Sequence, residues 1–276
     1  MIIGIDIGST TTKAVSLENG RVLKKIKTRA EDAVTSATGA FGKMILENSI
    51  KMADIQRIMI TGAGATKIEG DLFGLPTQKV SEIAALGAGG MFLSALETAA
   101  DRIVIVNIGT GTAVIEAGKD SIIHLGGSGV GGGTILGLAK RLLSLSDFED
   151  IMELAKSGSL DPVDLLLEDI MGSDLNFLNK KSTASNFGKM LDTARDEDIA
   201  LGIVNMVYEV IGMIAVFAAR SRNIKRVIVT GSGSRNPLGQ RVLTEITRMH
   251  QVAFEYPEDA EYTTAIGAGL LSGNRD

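Results

Sequence analysis

The chain opens on an apolar run, Ile2-Ile3-Gly4-Ile5-Asp6-Ile7, that stops at Gly8. This pattern predicts a strand over Met1–Gly8 that ends in a tight turn. Thr11–Ser16 leaves the turn with polar and apolar positions alternating, and Asn19-Gly20 signals a hairpin before a further strand over Arg21–Thr28. A helix is predicted within Glu31–Lys51 and a short buried strand at Arg57–Ile60, ending on Thr61-Gly62. Glu82–Ala99 reads as a helix of small residues. The plan then starts again, with strands at Arg102–Asn107, Thr112–Ala117 and Ser121–Leu125 and a turn at Gly118-Lys119-Asp120. A predominantly helical insertion covers Thr134–Asp196, followed by a long helix over Asp198–Asn223. The chain closes with a strand at Arg226–Thr230, a helix at Pro237–Met249, a strand at Gln251–Tyr256 and a helix at Thr263–Leu271.

The glycine clusters recur in the same order in both halves. Asp6-Ile7-Gly8-Ser9-Thr10-Thr11 is matched by Asn107-Ile108-Gly109-Thr110-Gly111-Thr112. Ile60-Thr61-Gly62-Ala63-Gly64-Ala65 is matched by Val229-Thr230-Gly231-Ser232-Gly233-Ser234, and Leu86-Gly87-Ala88-Gly89 by Ile266-Gly267-Ala268-Gly269. Three matches in one order imply two half-molecules of related design facing each other across a cleft. The expected lobes are residues 1–100 and 101–276, the second carrying the insertion at about 134–196.

Composition narrows the chemistry. The chain has 276 residues with 33 glycines, no cysteine and two histidines, His124 and His250. A disulfide framework, thiolate metal sites, cysteine catalysis and cysteine-held iron–sulfur clusters are excluded. A net charge of −5 without a basic block argues against a nucleic-acid binder. The start MIIGIDIG lacks the features of a signal peptide, and the most apolar stretch, Val210–Ala219, is too short to span a bilayer. No membrane partner is expected, and a cytoplasmic enzyme or regulator is the expectation.

Strand–turn–strand loops of Gly, Ser and Thr offer backbone N–H groups and hydroxyls to an anion. Two such loops facing each other would grip the β- and γ-phosphates of a nucleotide, and Asp6 beside them could hold Mg²⁺. The run from Gly126 to Thr134 satisfies G-x-G-x-x-G from Gly127 and invites a dinucleotide reading. That reading needs a strand ending in an acid about 20 residues on. Asp147 has the spacing, but Leu143–Lys156 has helical periodicity, so the reading fails. No G-x-x-x-x-G-K-[ST] occurs, which excludes a P-loop enzyme. Glu82, at a helix start, would stay ionised and could accept a proton from a substrate hydroxyl. Its alternative is a surface glutamate, while those for Phe148 and Ser232 are a core ring and a strand-to-helix turn.

The runs Asp6–Lys13, Asn107–Thr112 and Val229–Ser234 resemble the two phosphate motifs and the adenosine motif of the actin-like ATPase superfamily. More narrowly, the chain resembles the bacterial type II pantothenate kinases. Leu125–Leu138 is similar to that family's glycine stretch, Thr183–Gly188 to its T-A-A/S-N-F-G segment, and Tyr256–Glu258 with Ala265–Ala268 to its C-terminal motif. The resemblance implies an α/β fold of the duplicated actin-like (ribonuclease H-like) type, with two lobes around a nucleotide cleft. It implies ATP and Mg²⁺, and transfer to the primary hydroxyl of pantothenate, giving 4′-phosphopantothenate in coenzyme A biosynthesis. Glu82 would be the catalytic base and Asp6 the metal ligand. Asp6, Gly8, Ser9, Thr10, Thr11, Thr12, Lys13, Thr110, Gly111, Gly132, Gly133, Thr134, Ile135, Leu136, Phe148 and Ser232 would hold the nucleotide. His124 and Thr183 would face the acceptor, and Tyr256 would reach a neighbouring subunit's site in a homodimer.

His124 stands where the family has an arginine for the pantothenate carboxylate, Ser9 replaces a glycine of the first loop, and Ala84 an aspartate near the base. A kinase for another small hydroxylated acceptor therefore stays open, as does an ATPase regulator without a cluster. The activators of certain dehydratases share the first loop, but they need cysteines that this chain lacks.

Overall fold

The computed structural model describes residues 1–29, 32–94, 102–171 and 180–273. The first apolar run forms β1 (Ile2–Ile7), which pairs antiparallel with β2 (Thr11–Glu18), and β2 pairs antiparallel with β3 (Arg21–Arg29). After α1 (Ala33–Asn48), β4 (Arg57–Thr61) and β5 (Thr77–Lys79) add in parallel, giving the sheet order β3-β2-β1-β4-β5. Helix α2 (Glu82–Leu93) leads to the second half. There β6 (Ile103–Ile108), β7 (Thr112–Gly118) and β8 (Ser121–Ser128) run antiparallel. In the same half β11 (Arg226–Thr230) and β12 (Ala253–Glu255) add in parallel, in the order β12-β11-β6-β7-β8. The two sheets thus have the same order and the same pairing sense, as the glycine repeat predicts.

Period-two alternation decides what each face meets. Ile3, Ile5 and Ile7 of β1 pack with Ala37, Ala40 and Phe41 of α1, while Gly4 and Asp6 face the other way. In the second sheet Val104, Val106 and Ile108 meet Ile203, Val207 and Ile211 of α6 (Asp196–Ser221), and Ile103 and Ile105 meet Leu86 of α2. Helix α8 (Thr263–Leu270) packs on β1, β2 and β4, whereas α2 packs on β6, β7 and β8. Each half therefore lends its small-residue helix to the other half's sheet. The two helices cross with backbone against backbone. A β-carbon on Gly267 would lie 1.7 Å from Ala85 O, and one on Gly89 would lie 1.9 Å from Thr263 O. The third glycine repeat is the seam between the halves.

The insertion is less helical than its pattern predicts. It holds α3 (Gly132–Leu142), α4 (Phe148–Ala155), the single turn α5 (Leu167–Ile170), and a two-stranded pair of β9 (Leu165–Leu166) and β10 (Thr183–Ser185). Residues 172–179 lie outside the described residues, as do the expected end of the α2 helix at Ala99 and the lobe boundary at 100/101. Strand β8 runs on to Ser128, past the predicted Leu125, with a register shift between Val114 and Ile115. The last strand is shorter than Gln251–Tyr256, because Gln251 takes φ 57° as the C-cap of α7 (Pro237–His250).

By length and composition α6 could cross a membrane, but 61% of its most apolar window is buried inside the fold. Its register on the second sheet makes it that half's core helix.

Candidate functional site

The β1–β2 turn is held by Gly8 N–H donating to Thr11 O at 3.2 Å, and the β6–β7 turn by Gly109 N–H donating to Gly111 O at 2.9 Å. The turns meet at their tips, where Ser9 Oγ and Thr110 Oγ1 lie 2.7 Å apart. The two loops predicted to face each other are in contact. Thr10 is exposed at the first tip, and Thr11 and Gly111 are half-buried at the bases of their turns.

Behind each tip the strand that follows the half's first helices closes in. A β-carbon on Gly62 would lie 2.6 Å from Asp6 Oδ1, and one on Gly231 would lie 2.7 Å from Asn107 Oδ1. Both glycines sit at positive φ, 87° and 81°. No other residue type fits this approach. Gly64 and Gly233 repeat the close approach two residues on, where a β-carbon would lie 2.4 Å from the Cγ2 methyl of Ile7 and of Ile108.

Asp6 lies opposite Lys13 across β1 and β2, on the face turned toward α8. Burial pushes its carboxyl up to about 6, against the pull of Lys13 and with a further push from Glu82. The Lys13 ammonium is lowered by burial, with Asp6 opposing. Glu82 is the first residue of α2, exposed, with no hydrogen bond or ion pair among the described residues. Its charge acts on the Asp6 carboxyl and raises it. Lys13 is 7% exposed.

Among the described residues no group of three or more His, Asp or Glu gathers as a metal centre. A hard cation here would rest on Asp6, nucleotide oxygens and water, a donor set that suits Mg²⁺. A buried carboxyl held high by desolvation, with one ammonium to balance it, fits a site that gains a dication.

The glycine run is used differently from expectation. Gly132 N–H donates to Gly109 O and Gly133 N–H to Thr110 O, both at 2.9 Å. A β-carbon on Gly131 would lie 2.6 Å from Thr110 O. The N-terminus of α3 therefore grips the second turn, and these two N–H groups are already taken. Thr134 Oγ1 accepts from Gly131 N–H and donates to Gly129 O. Ile135 is 1% exposed in the core of the second half, and Leu136 packs beside it. Thr12 is fully buried on the α1 face, opposite to Asp6, so its side chain stands apart from the cleft.

Phe148 packs partly on the second core, just after Asp147, whose carboxylate caps α4 by accepting from Glu149 N–H. That helix removes the second strand a dinucleotide fold requires, as the periodicity predicts. Asp147 also faces Arg29 of β3 at 3.7 Å across the two halves, a contact the sequence does not reveal. Ser232 is half-buried at the start of the turn after β11.

The acceptor candidates are dispersed. His124 is exposed on edge strand β8, paired with Ile115 on the face that α2 covers. Ile122, two residues back on that face, meets Gly87 of α2. Thr183 is tied into a polar cluster on α6, donating to Asp164 Oδ2 at 3.3 Å and accepting from Asn205 Nδ2 at 3.1 Å. Burial pushes Asp164 up, although Phe187 N–H, Asn205 and Thr183 hydrogen-bond it. Asn186 donates to Glu209 Oε2 at 2.8 Å in the same cluster. Tyr256 packs on its own half's core with a buried, unpartnered hydroxyl, and burial pushes it up to about 12. The structure brings the two loops together and sets Lys13 opposite Asp6, while Thr183 joins the cluster of Asp164 and Asn205.

Residues 102–268 match the Fumble family. A type II pantothenate kinase of Bacillus anthracis is 32% identical over 279 residues, covering 99% of this chain and 98% of that protein. One from Staphylococcus haemolyticus is 29% identical over 280 residues, covering 99% and 100%. Among solved structures, the activator of the 2-hydroxyisocaproyl-CoA dehydratase from Clostridium difficile with bound ADPNP has a TM-score of 0.67 at 20% identity, covering 98% of this chain and 93% of that one. A ROK family glucokinase from Streptomyces griseus in complex with glucose and AMPPNP has a TM-score of 0.62 at 14% identity, covering 98% of both chains. At those identities the structures speak for the fold alone, and it is the actin-like ATPase fold. The sequence relatives decide among its bearers: the chain belongs to the type II pantothenate kinase family.

Proposed function

We propose that the protein transfers the γ-phosphoryl group of ATP to the primary hydroxyl of pantothenate, forming 4′-phosphopantothenate and ADP. The observation that carries this reading is the meeting of the Ser9 and Thr110 turns beside Asp6, Lys13 and Glu82. In phosphoryl transfer the protein's task is alignment and neutralisation of charge. The Gly8–Thr11 and Gly109–Gly111 turns would separate to admit the phosphates and then hold them with N–H groups and hydroxyls. Asp6 would hold Mg²⁺, which supplies neutralisation of the phosphate oxygens. Lys13 would add positive charge below them. Glu82, at the N-terminus of α2, would orient the hydroxyl and take its proton. The nucleoside would lie toward Ser232 and Phe148. Closing the halves across the Arg29–Asp147 contact would keep water out.

The reading includes a homodimer in the cytoplasm. His124, exposed beside the first turns of α2, favours one second reading, a kinase for a different small alcohol. Histidine lacks the permanent forked charge with which an arginine clamps a carboxylate.

Mass analysis of phosphorylated products across pantothenate, pantetheine and amino sugars separates the two. Phosphopantothenate as the dominant product supports the first reading, and turnover restricted to another alcohol replaces it with the second. His124→Arg is expected to lower the KM for pantothenate about tenfold, the scale of one charge-assisted hydrogen bond.

A further inference from the structure

The two halves place a threonine at the same point, at the end of the strand that pairs in parallel with the first strand of its sheet. In the second half Thr230 pairs with Asn107, and its hydroxyl donates to Asn107 Oδ1 at 3.2 Å and lies 3.4 Å from Val106 O. In the first half Thr61 pairs with Asp6 and is fully buried, yet its hydroxyl has no partner. The missing acceptor is not misplaced. Asp6 Oδ1 and Asn107 Oδ1 stand the same way against their glycines, Gly62 and Gly231. A buried hydroxyl left unpaired beside a carboxylate is unfavourable.

We propose that Thr61 is the positioning residue of Asp6: with nucleotide and a divalent cation bound, its hydroxyl turns to donate to the Asp6 carboxylate and fixes the oxygen that faces the cation. This rests on the reading of Asp6 as the metal ligand. The second half shows the donating arrangement, on a neutral amide. Lys13, across the strand pair from Asp6, balances the carboxylate before the cation arrives.

The test is Mn²⁺ binding, read by electron paramagnetic resonance in the presence of AMPPNP, for the full chain and for Thr61→Val, Thr61→Ser and Asp6→Asn. Thermal melting of each variant confirms that it is folded. Thr61→Val is expected to bind Mn²⁺ about tenfold more weakly, the scale of a lost hydrogen bond to a charged group, with Thr61→Ser restoring affinity. Asp6→Asn is expected to lose the tight site altogether. Wild-type affinity in Thr61→Val, with loss in Asp6→Asn, would overturn the role of Thr61 and leave Asp6 standing. Wild-type affinity in Asp6→Asn would overturn the metal reading itself.

Discussion

The first and second halves share one backbone plan and differ in what they mount on it. Both carry a five-stranded sheet in the same order, a glycine turn after the first strand and a positive-φ glycine pressed onto the residue before that turn. In the first half that residue is Asp6, facing Lys13; in the second it is Asn107, facing Ala113. The second turn is also tied down from behind by Gly132 and Gly133 at the start of α3, and among the described residues no helix start donates in this way to the first. The backbone repeat explains the fold. Two of the differences, carboxylate for amide and lysine for alanine at the paired positions, put charge in the first half alone.

Making the first half resemble the second is the largest perturbation. Asp6→Asn is expected to lower kcat about a thousandfold, as loss of a charge-stabilising group in a transition state does, measured as pantothenate-dependent ADP release. The same change is expected to stabilise the free protein. The Asp6 carboxyl is raised from 3.8 to about 6. Its protonated form therefore favours folding below 3.8, and that contribution is lost as pH rises through about 6. At pH 7.5 the variant should gain about 1–2 kcal/mol over wild type, shrinking toward zero near pH 4, in denaturant titrations at the two pH values.

Gly267→Ala attacks what the halves share, the crossing of α2 and α8. With a new methyl 1.7 Å from Ala85 O, the helices must part, at a cost of about 3 kcal/mol in a urea melt. The smallest effect is the reciprocal charge change. Asn107→Asp is expected to raise the KM for ATP about tenfold by setting a carboxylate against the phosphates, with little change in kcat. A large drop in kcat there would mean that the second turn carries chemistry of its own.

Much of this was legible in the sequence, because runs such as Ile58–Ile60 and Val227–Val229 are β-branched or apolar and end on a repeated Thr-Gly. The meeting of the turns followed from the order of the glycine clusters. The exchange of α2 and α8 between sheets did not, since small residues surround both helices and no apolar stripe shows which sheet each will meet. Motif spacing alone also drew in Thr12 and Ile135. Strand alternation turns the first onto the α1 face, and the first turn of α3 points the second into the core. Thr183 and Tyr256 were legible as types but not as contacts, because their partners lie far away in the chain, at Asp164 and Asn205 for the threonine.

The central claim is that the charged first half performs transfer to an alcohol. The most direct measurement is ADP release with and without saturating pantothenate, for wild type and for Glu82→Gln. The account predicts turnover that depends on pantothenate and falls by about a thousandfold in Glu82→Gln, the range for a lost general base, with ATP affinity retained. ADP release that is the same with and without pantothenate, and unchanged in Glu82→Gln, would contradict it.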